Sequence, residues 1–258
     1  MAGDFQSLKV LAVDDDAFSM SVLSAALEKL GVGRVATAGD GAEALAHLAR
    51  ETADVIVCDL NMPGMSGMEL LGRLAEDGYG GRIVLVSGED PDGLVSARAF
   101  ARDRGLVIAG ALEKPVKPAD LAALLGPGTT SETPPTAGDA PGDAPGDAPV
   151  DLARLKELLG TDDAARLAET LDLFREIFPD LLAELAIAVQ ARDARAVHDA
   201  AHKAKGAARN AAALELAALL GDLQNAAASE DWQDFQERLV TIDAAYAGVE
   251  AVDPATGI

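Results

Sequence analysis

Three acidic residues in a row, Asp14, Asp15 and Asp16, follow the apolar run LKVLAV, and a fourth, Asp59, closes the run DVIVCD. Clustered carboxylates repel one another unless a cation sits among them. An oxygen-only donor set with open positions suits Mg²⁺, which holds few protein carboxylates and keeps room for water and phosphate. For any one Asp after a strand, capping the next helix is the plainer role. Two more polar residues stand at the ends of similar runs: Ser87 closes RIVLVS, and Lys114, followed by Pro115, lies just beyond LVIAGAL. A hydroxyl and an ammonium are what the non-bridging oxygens of a phosphoryl group require, because phosphoryl transfer is mostly positioning and charge neutralisation. Asp59 can then be the nucleophile, forming an acyl phosphate with Mg²⁺ offsetting charge on one side and Lys114 on the other.

The chain has three histidines. His47 has no partners in the sequence and reads as solvated. His198 and His202 lie four apart in AVHDAAHKAKGAARN, hence on one helical face. That spacing could bind a metal, but no Cys, Glu or third His stands nearby to complete a zinc site. Val197, Ala201, Ala204, Ala208 and Ala211 form an apolar stripe that marks the core side of this helix. His198, His202, Lys205, Gly206 and Arg209 form the neighbouring stripe, which is therefore expected to be at least partly exposed. An exposed His202 with the cations Lys203 and Lys205 beside it is suited to carrying a phosphoryl group. Gly206, one turn on, costs about 1 kcal/mol relative to Ala in a helix interior and removes a side chain that would block close approach.

Two different kinds of element must hold these residues. In residues 1–126 short apolar runs, each five to seven residues long, alternate with amphipathic stretches: LKVLAV, RVATA, DVIVCD, RIVLVS and LVIAGAL precede helical patterns at 17–30, 40–50, 66–77, 91–104 and 118–125. That is a (βα)5 pattern of the α/β class. Apolar strands separated by helices imply a doubly wound parallel sheet covered on both faces, with ligand chemistry at the carboxyl ends of its strands. Residues 127–149 contain GDAP three times in succession and read as a flexible Gly/Asp/Ala/Pro linker that cannot repay the entropy of ordering. From 150 to 258 the pattern is helical only: 151–159, 162–190 with a bend or break near Pro179, about 193–211, 213–229 and 231–249. The implied architecture is an all-α four-helix bundle with an additional N-terminal helix.

With these elements in place, residues 6–126 resemble the receiver domain of two-component response regulators, a flavodoxin-like fold. The resemblance is carried by VDDD at 13–16, CDLNMPGMSGMEL at 58–70, VSG at 86–88 and EKP at 113–115. It implies Asp59 as phosphoacceptor, Asp14 and Asp15 as the acidic pair, and Asn61 lending its backbone carbonyl to Mg²⁺. Ser87 would be the hydroxyl switch residue and Lys114 the lysine bonded to the phosphate. One position departs: Ala111 stands where many receivers carry Tyr or Phe, and a methyl group cannot report a rotamer switch. AHKAKG at 201–206 resembles the AHxLKG signature of histidine-containing phosphotransfer (HPt) domains, over about 150–250. This implies His202 as the phosphohistidine, assisted by Lys203 and Lys205, with Gly206 giving access. Ala204 replaces the usual Leu, and Ala212 stands where Gly is common.

Together the two resemblances imply a phosphorelay intermediate rather than an enzyme acting on external substrates. A sensor histidine kinase would load Asp59, and His202 would exchange phosphoryl with this or another receiver aspartate; a downstream response regulator is the implied acceptor. The alternative is a signalling adaptor or phosphate sink whose receiver regulates the HPt half without passing phosphate in cis. An aspartyl-phosphate hydrolase of the haloacid dehalogenase type would need Asp where Asn61 stands. No glycine-rich nucleotide motif follows His202, so charging it from ATP within this sequence is not expected.

Composition narrows the field further. Net charge is −22, with 11 basic against 19 acidic residues in 1–126, none against 4 in 127–149 and 10 against 20 in 150–258. Binding to nucleic acid or anionic membrane through basic surface is therefore disfavoured. The single cysteine, Cys58, cannot form an internal disulfide, the N-terminus lacks a basic region followed by an apolar run, and no apolar stretch approaches the roughly 20 residues that cross a bilayer. A cytoplasmic, monomeric protein is expected.

Overall fold

The computed structural model describes residues 5–88, 91–126 and 148–253. The chain divides into two compact units, residues 1–138 and 139–258. Most of the expected linker, 127–147, lies outside the described residues.

The first unit alternates β1 (Lys9–Val13), α1 (Ala17–Lys29), β2 (Arg34–Ala38), α2 (Gly41–Leu48), β3 (Val55–Asp59), α3 (Gly67–Glu76), β4 (Arg82–Ser87), α4 (Pro91–Asp103), β5 (Val107–Glu113) and α5 (Pro118–Leu125). All strand pairs are parallel and the order is β2-β1-β3-β4-β5, a flavodoxin-like sheet. The strands are apolar throughout because successive side chains point to opposite faces and both faces are covered. Leu11, Ile56, Ile83 and Leu85 enter one core with Leu70 and Leu74 of α3. Val10, Val57, Val84 and Val86 enter the other, with Leu23 and Leu27 of α1 and Leu121 of α5.

Strand β5 breaks the simple alternation. Ile83 pairs with Ile108 but Val84 pairs with Gly110, a register shift that leaves one extra residue in β5. Ala111 then lies opposite Leu85, and Glu113 opposite Ser87. A side chain at Gly110 would press into Leu124 of α5, with contacts of 2.6–2.7 Å. Glycine lets α5 close over this strand.

The second unit consists of α6 (Leu152–Leu159), α7 (Ala164–Ala191), α8 (Ala194–Asn210), α9 (Leu214–Ala226), a single 3₁₀ turn at Ala227–Ser229, and α10 (Trp232–Glu250). Helices α7, α8, α9 and α10 pack as a closed ring of neighbours, and α6 lies against α7. Asp residues cap three of these helices: Asp163, Asp193 and Asp231 accept backbone N–H bonds at the starts of α7, α8 and α10.

One expectation is corrected here. Helix α7 runs unbroken through Pro179. Proline has no N–H for the carbonyl of Arg175 four residues back, which is why a bend or break was expected; of the two, the break is what the continuous helix overturns. The Tyr246 hydroxyl, from α10, donates to that carbonyl at 3.1 Å. Its ring lies 4.9 Å from that of Phe178 and 6.1 Å from that of Phe174. Among the described residues no helix is long and apolar enough to cross a membrane.

Candidate phosphotransfer sites

Parallel strands deliver their carboxyl ends to one edge of the sheet. There Asp14 follows β1, Asp59 ends β3, Ser87 ends β4 and Lys114 follows β5. Between β1 and β3 the strand order reverses, and this is where such sheets open a crevice. The Lys114 backbone N–H donates to the Ser87 carbonyl at 2.8 Å, and the Lys114–Pro115 peptide is cis. Gly67, at the start of α3, lies so close to β3 that a Cβ there would collide with the Asp59 carbonyl oxygen and Leu60. The helix is anchored by a capping box of Ser66 and Glu69.

The Lys114 ammonium lies 2.6 Å from Asp14 Oδ2 and 2.7 Å from Asp59 Oδ2. The second oxygens are also held: Asp14 Oδ1 accepts from the Asp16 N–H at 3.0 Å, and Asp59 Oδ1 from the Asn61 N–H at 3.1 Å. Carboxylate oxygens of Asp14, Asp15 and Asp59 lie within 4.8 Å of one another. One ammonium against three carboxylates leaves a surplus of negative charge in a largely buried place. Burial, and then the neighbouring Asp59, push the Asp14 carboxyl up to about 7 despite the pull of Lys114. Burial works against the Lys114 charge too, yet Asp14 and Asp59 hold it protonated above its ordinary range.

Ser87 is 1% exposed, and its Oγ has no hydrogen-bond partner among the described residues. A buried hydroxyl left so costs roughly 1–3 kcal/mol, which an oxyanion accepting its hydrogen would relieve. Surplus carboxylate charge and oxygen-only donors fit Mg²⁺, the cation expected for this crevice. Asp16 takes a different role. Its carboxylate accepts from the Phe18 and Ser19 N–H groups at 3.2 and 3.0 Å and from the Ser19 hydroxyl, so it caps α1.

In the second unit the apolar stripe Val197, Ala201, Ala204, Ala208 and Ala211 is fully buried. His202 and Lys203 are half-buried on the adjoining face, and a Cβ at Gly206 would meet nothing within 4 Å. The expected exposure of Lys205 is corrected: it is 4% exposed. Helix α9 lies across it, with Gly221 making room for the stem, and its Nζ donates to Gln224 Oε1 at 2.6 Å. The Gln224 Nε2 lies 3.2 Å from both His198 Nε2 and His202 Nδ1.

Sequence reasoning missed Gln224. A signal existed: Gln224 falls in register with Leu216, Leu220 and Leu223 on the buried face of α9, where a polar residue needs a partner. Ala212 adopts φ of 56°, the left-handed region that favours glycine, at the position where Gly was expected.

Comparisons with known proteins divide the chain at the same place. Residues 10–125 match the response regulator receiver domain and residues 169–252 the Hpt domain. A protein-glutamate methylesterase/protein-glutamine glutaminase 5 of Myxococcus xanthus is 33% identical over 197 residues, 70% of this chain and 54% of that protein. The nitrate/nitrite response regulator protein NarP of Escherichia coli is 37% identical over 101 residues, 39% of this chain and 47% of that protein. The chain thus spans about half the length of these relatives, and less of others such as the virulence sensor protein BvgS of Bordetella pertussis, of which it covers 6% at 44% identity over 78 residues. Among solved structures, a response regulator from Colwellia psychrerythraea is 32% identical with a TM-score of 0.41, covering 46% of this chain and 94% of that one.

Proposed function

Because this chain joins a response regulator receiver domain to an Hpt domain, and so belongs to two-component phosphorelay signalling, we propose that it relays phosphoryl groups between aspartate and histidine. The receiver is assigned to 1–126, a linker to 127–149 and the HPt domain to 150–258. The observation that carries the reading is the Lys114 ammonium shared by Asp14 and Asp59 beside the Ser87 hydroxyl, which is buried and has no partner among the described residues. Such a set is arranged for an oxyanion.

In the first step an Asp59 carboxylate oxygen attacks the phosphorus of a phosphohistidine on a sensor histidine kinase. The P–N bond breaks, its electron pair returns to the donor imidazole, and Asp59 becomes an acyl phosphate. Asp14, Asp15, Asp59 and the Asn61 backbone carbonyl would hold Mg²⁺, which when bound offsets charge on the phosphoryl oxygens. Lys114 and the Ser87 hydroxyl take the remaining oxygens.

His202 is the second carrier. Its Nε2 gives up its proton to solvent as its electron pair bonds to the phosphorus of a phosphoryl group on a receiver aspartate, the P–O bond breaks, and the aspartate leaves as a carboxylate. Lys203 supplies positive charge and Gly206 leaves the approach open. A downstream receiver then takes the group from His202, in the cytoplasm where a kinase would supply it. Ala111 favours relay over allosteric output, since this buried methyl has no ring to turn when Asp59 is modified.

The test is labelling with phosphoramidate or acetyl phosphate plus Mg²⁺, with label mapped by stability: phosphohistidine is lost in acid, phosphoaspartate in base. Base-labile label is expected on the wild type and absent from Asp59→Ala, and acid-labile label absent from His202→Ala. Asp59→Ala retaining full base-labile label overturns the assignment.

A further inference from the structure

In the second unit the amide of Gln224 joins three other side chains. Lys205 Nζ donates to Gln224 Oε1 at 2.6 Å, and the Nε2 of the same amide lies 3.2 Å from His198 Nε2 and from His202 Nδ1. An ammonium has donors only, so it can be met only by the carbonyl end of an amide. Turned over, the amide would set its NH₂ against the ammonium where both are buried, and the mismatch is most costly there. Lys205 therefore decides which way Gln224 points.

The NH₂ end then faces the two imidazoles, with one hydrogen for each ring nitrogen. Both nitrogens must accept, so neutral His202 carries its proton on Nε2 and neutral His198 on Nδ1. The second assignment agrees with its surroundings, since Asp199 Oδ1 lies 3.3 Å from His198 Nδ1 as an acceptor.

We propose that Lys205, Gln224 and His198 form a latch that keeps Nδ1 of His202 unprotonated and so lengthens the life of a phosphoryl group on Nε2. The inference rests on the reading of His202 as a phosphohistidine. With Nε2 phosphorylated, Nδ1 is the remaining ring nitrogen, and when unprotonated it accepts from Gln224 as it does now. In hydrolysis a water oxygen bonds to phosphorus and the P–Nε2 bond breaks, its electron pair passing to the ring. The ring leaves as neutral imidazole if Nδ1 already holds a proton, and as a strongly basic imidazolate if it does not. The products are inorganic phosphate and His202. Protonating Nδ1 sets N–H against the amide N–H, so the hydrogen bond that places the ring also withholds its better leaving form. Lys205 is thus a positioning residue acting through Gln224, and His198 takes up the second amide hydrogen.

The test uses the full chain with ¹⁵N-labelled histidine. Long-range ¹H–¹⁵N correlation at about pH 8.5, where imidazoles are neutral, is expected to show the wild-type His202 proton on Nε2. Lys205→Met removes the ammonium and should raise the Nδ1–H population. Gln224→Glu keeps a partner for Lys205, presents only acceptors to the rings and should move the His202 proton to Nδ1. After phosphoramidate labelling, the acid-labile phosphohistidine should decay about 5-fold faster in both variants, with Lys205→Arg close to wild type and His198→Ala changed only about 2-fold. A wild-type proton on Nδ1, or an unchanged tautomer in both Lys205→Met and Gln224→Glu, overturns the latch. No acid-labile label on wild-type His202 overturns the phosphotransfer reading, and the lifetime claim with it, whatever the tautomer does.

Discussion

The acidic crevice and the imidazole face are assembled in opposite ways. Asp14, Asp59, Ser87 and Lys114 come from the ends of four strands between positions 14 and 114, and only the sheet edge brings them together. His198, His202 and Lys205 come from one helix, and a single residue of the next, Gln224, joins them. Their electrostatics differ in the same sense. Among the described residues the crevice keeps one ammonium among three carboxylates and a hydroxyl without a partner, whereas the Gln224 amide has an acceptor for each hydrogen and a donor for its oxygen. A site built by long-range pairing can hold unbalanced charge because the sheet holds it rigidly. A site on one helix face has to satisfy itself locally. Changes to the first should therefore be answered by cations and pH, and changes to the second by the neighbours of one amide.

The largest effect expected is on the crevice. Asp14 has its carboxyl raised from 3.8 to about 7, so the stability it lends is full below about pH 4 and is lost as pH rises to about 7. In metal-free buffer the first unit should lose on the order of 4 kcal/mol at most across this window. Asp14→Asn should remove that slope, exceed the wild type above pH 7, and lose the stabilisation that Mg²⁺ gives the wild type. Denaturant unfolding from pH 4 to 8 measures it, and a flat wild-type profile would break the contrast between the two sites.

Next in size is the glycine that lies against β3. Gly67→Ala forces a Cβ into the Asp59 backbone and should cost the first unit about 1–3 kcal/mol, with labelling of Asp59 reduced. Urea titration that resolves both units reads it, and equal loss in the second unit would count against two independent sites. The third prediction sharpens the account of α7. Tyr246→Phe leaves the Arg175 carbonyl without its donor and should cost about 1–2 kcal/mol. In a Pro179→Ala background, where an N–H is restored, the same change should cost clearly less, as a double-mutant cycle would show. The smallest effect has the opposite sign to that at Gly67: Gly206→Ala meets open space and should stabilise the second unit by up to about 1 kcal/mol. If Gly206 serves approach, phosphotransfer to His202 slows even as the melting temperature rises.

Much of this was legible in the residues. Short apolar strands bounded by Asp, Ser and Lys specify both the parallel sheet and the edge where its polar ends gather, because parallel strands align their carboxyl termini. The stripe Val197, Ala201, Ala204, Ala208 and Ala211 identifies the buried side of α8 by period alone. Three features escaped for a shared reason. The continuity of α7 depends on a hydroxyl 67 positions beyond Pro179, the burial of Lys205 on a helix that crosses it, and the role of Gln224 on rings 22 and 26 positions away. Periodicity describes one element at a time, and each of these is a contact between two.

The sequence alone determined the two architectures and the candidate carriers, Asp59 and His202, since strand alternation, helix period and motif spacing are local properties of the chain. The tertiary structure alone decided which Asp caps and which faces Lys114, how the bulge in β5 sets Ala111 opposite Leu85, and which way the Gln224 amide points. Hydrogen-bond direction and charge balance belong to sets of residues brought together in space, and only folding brings them together.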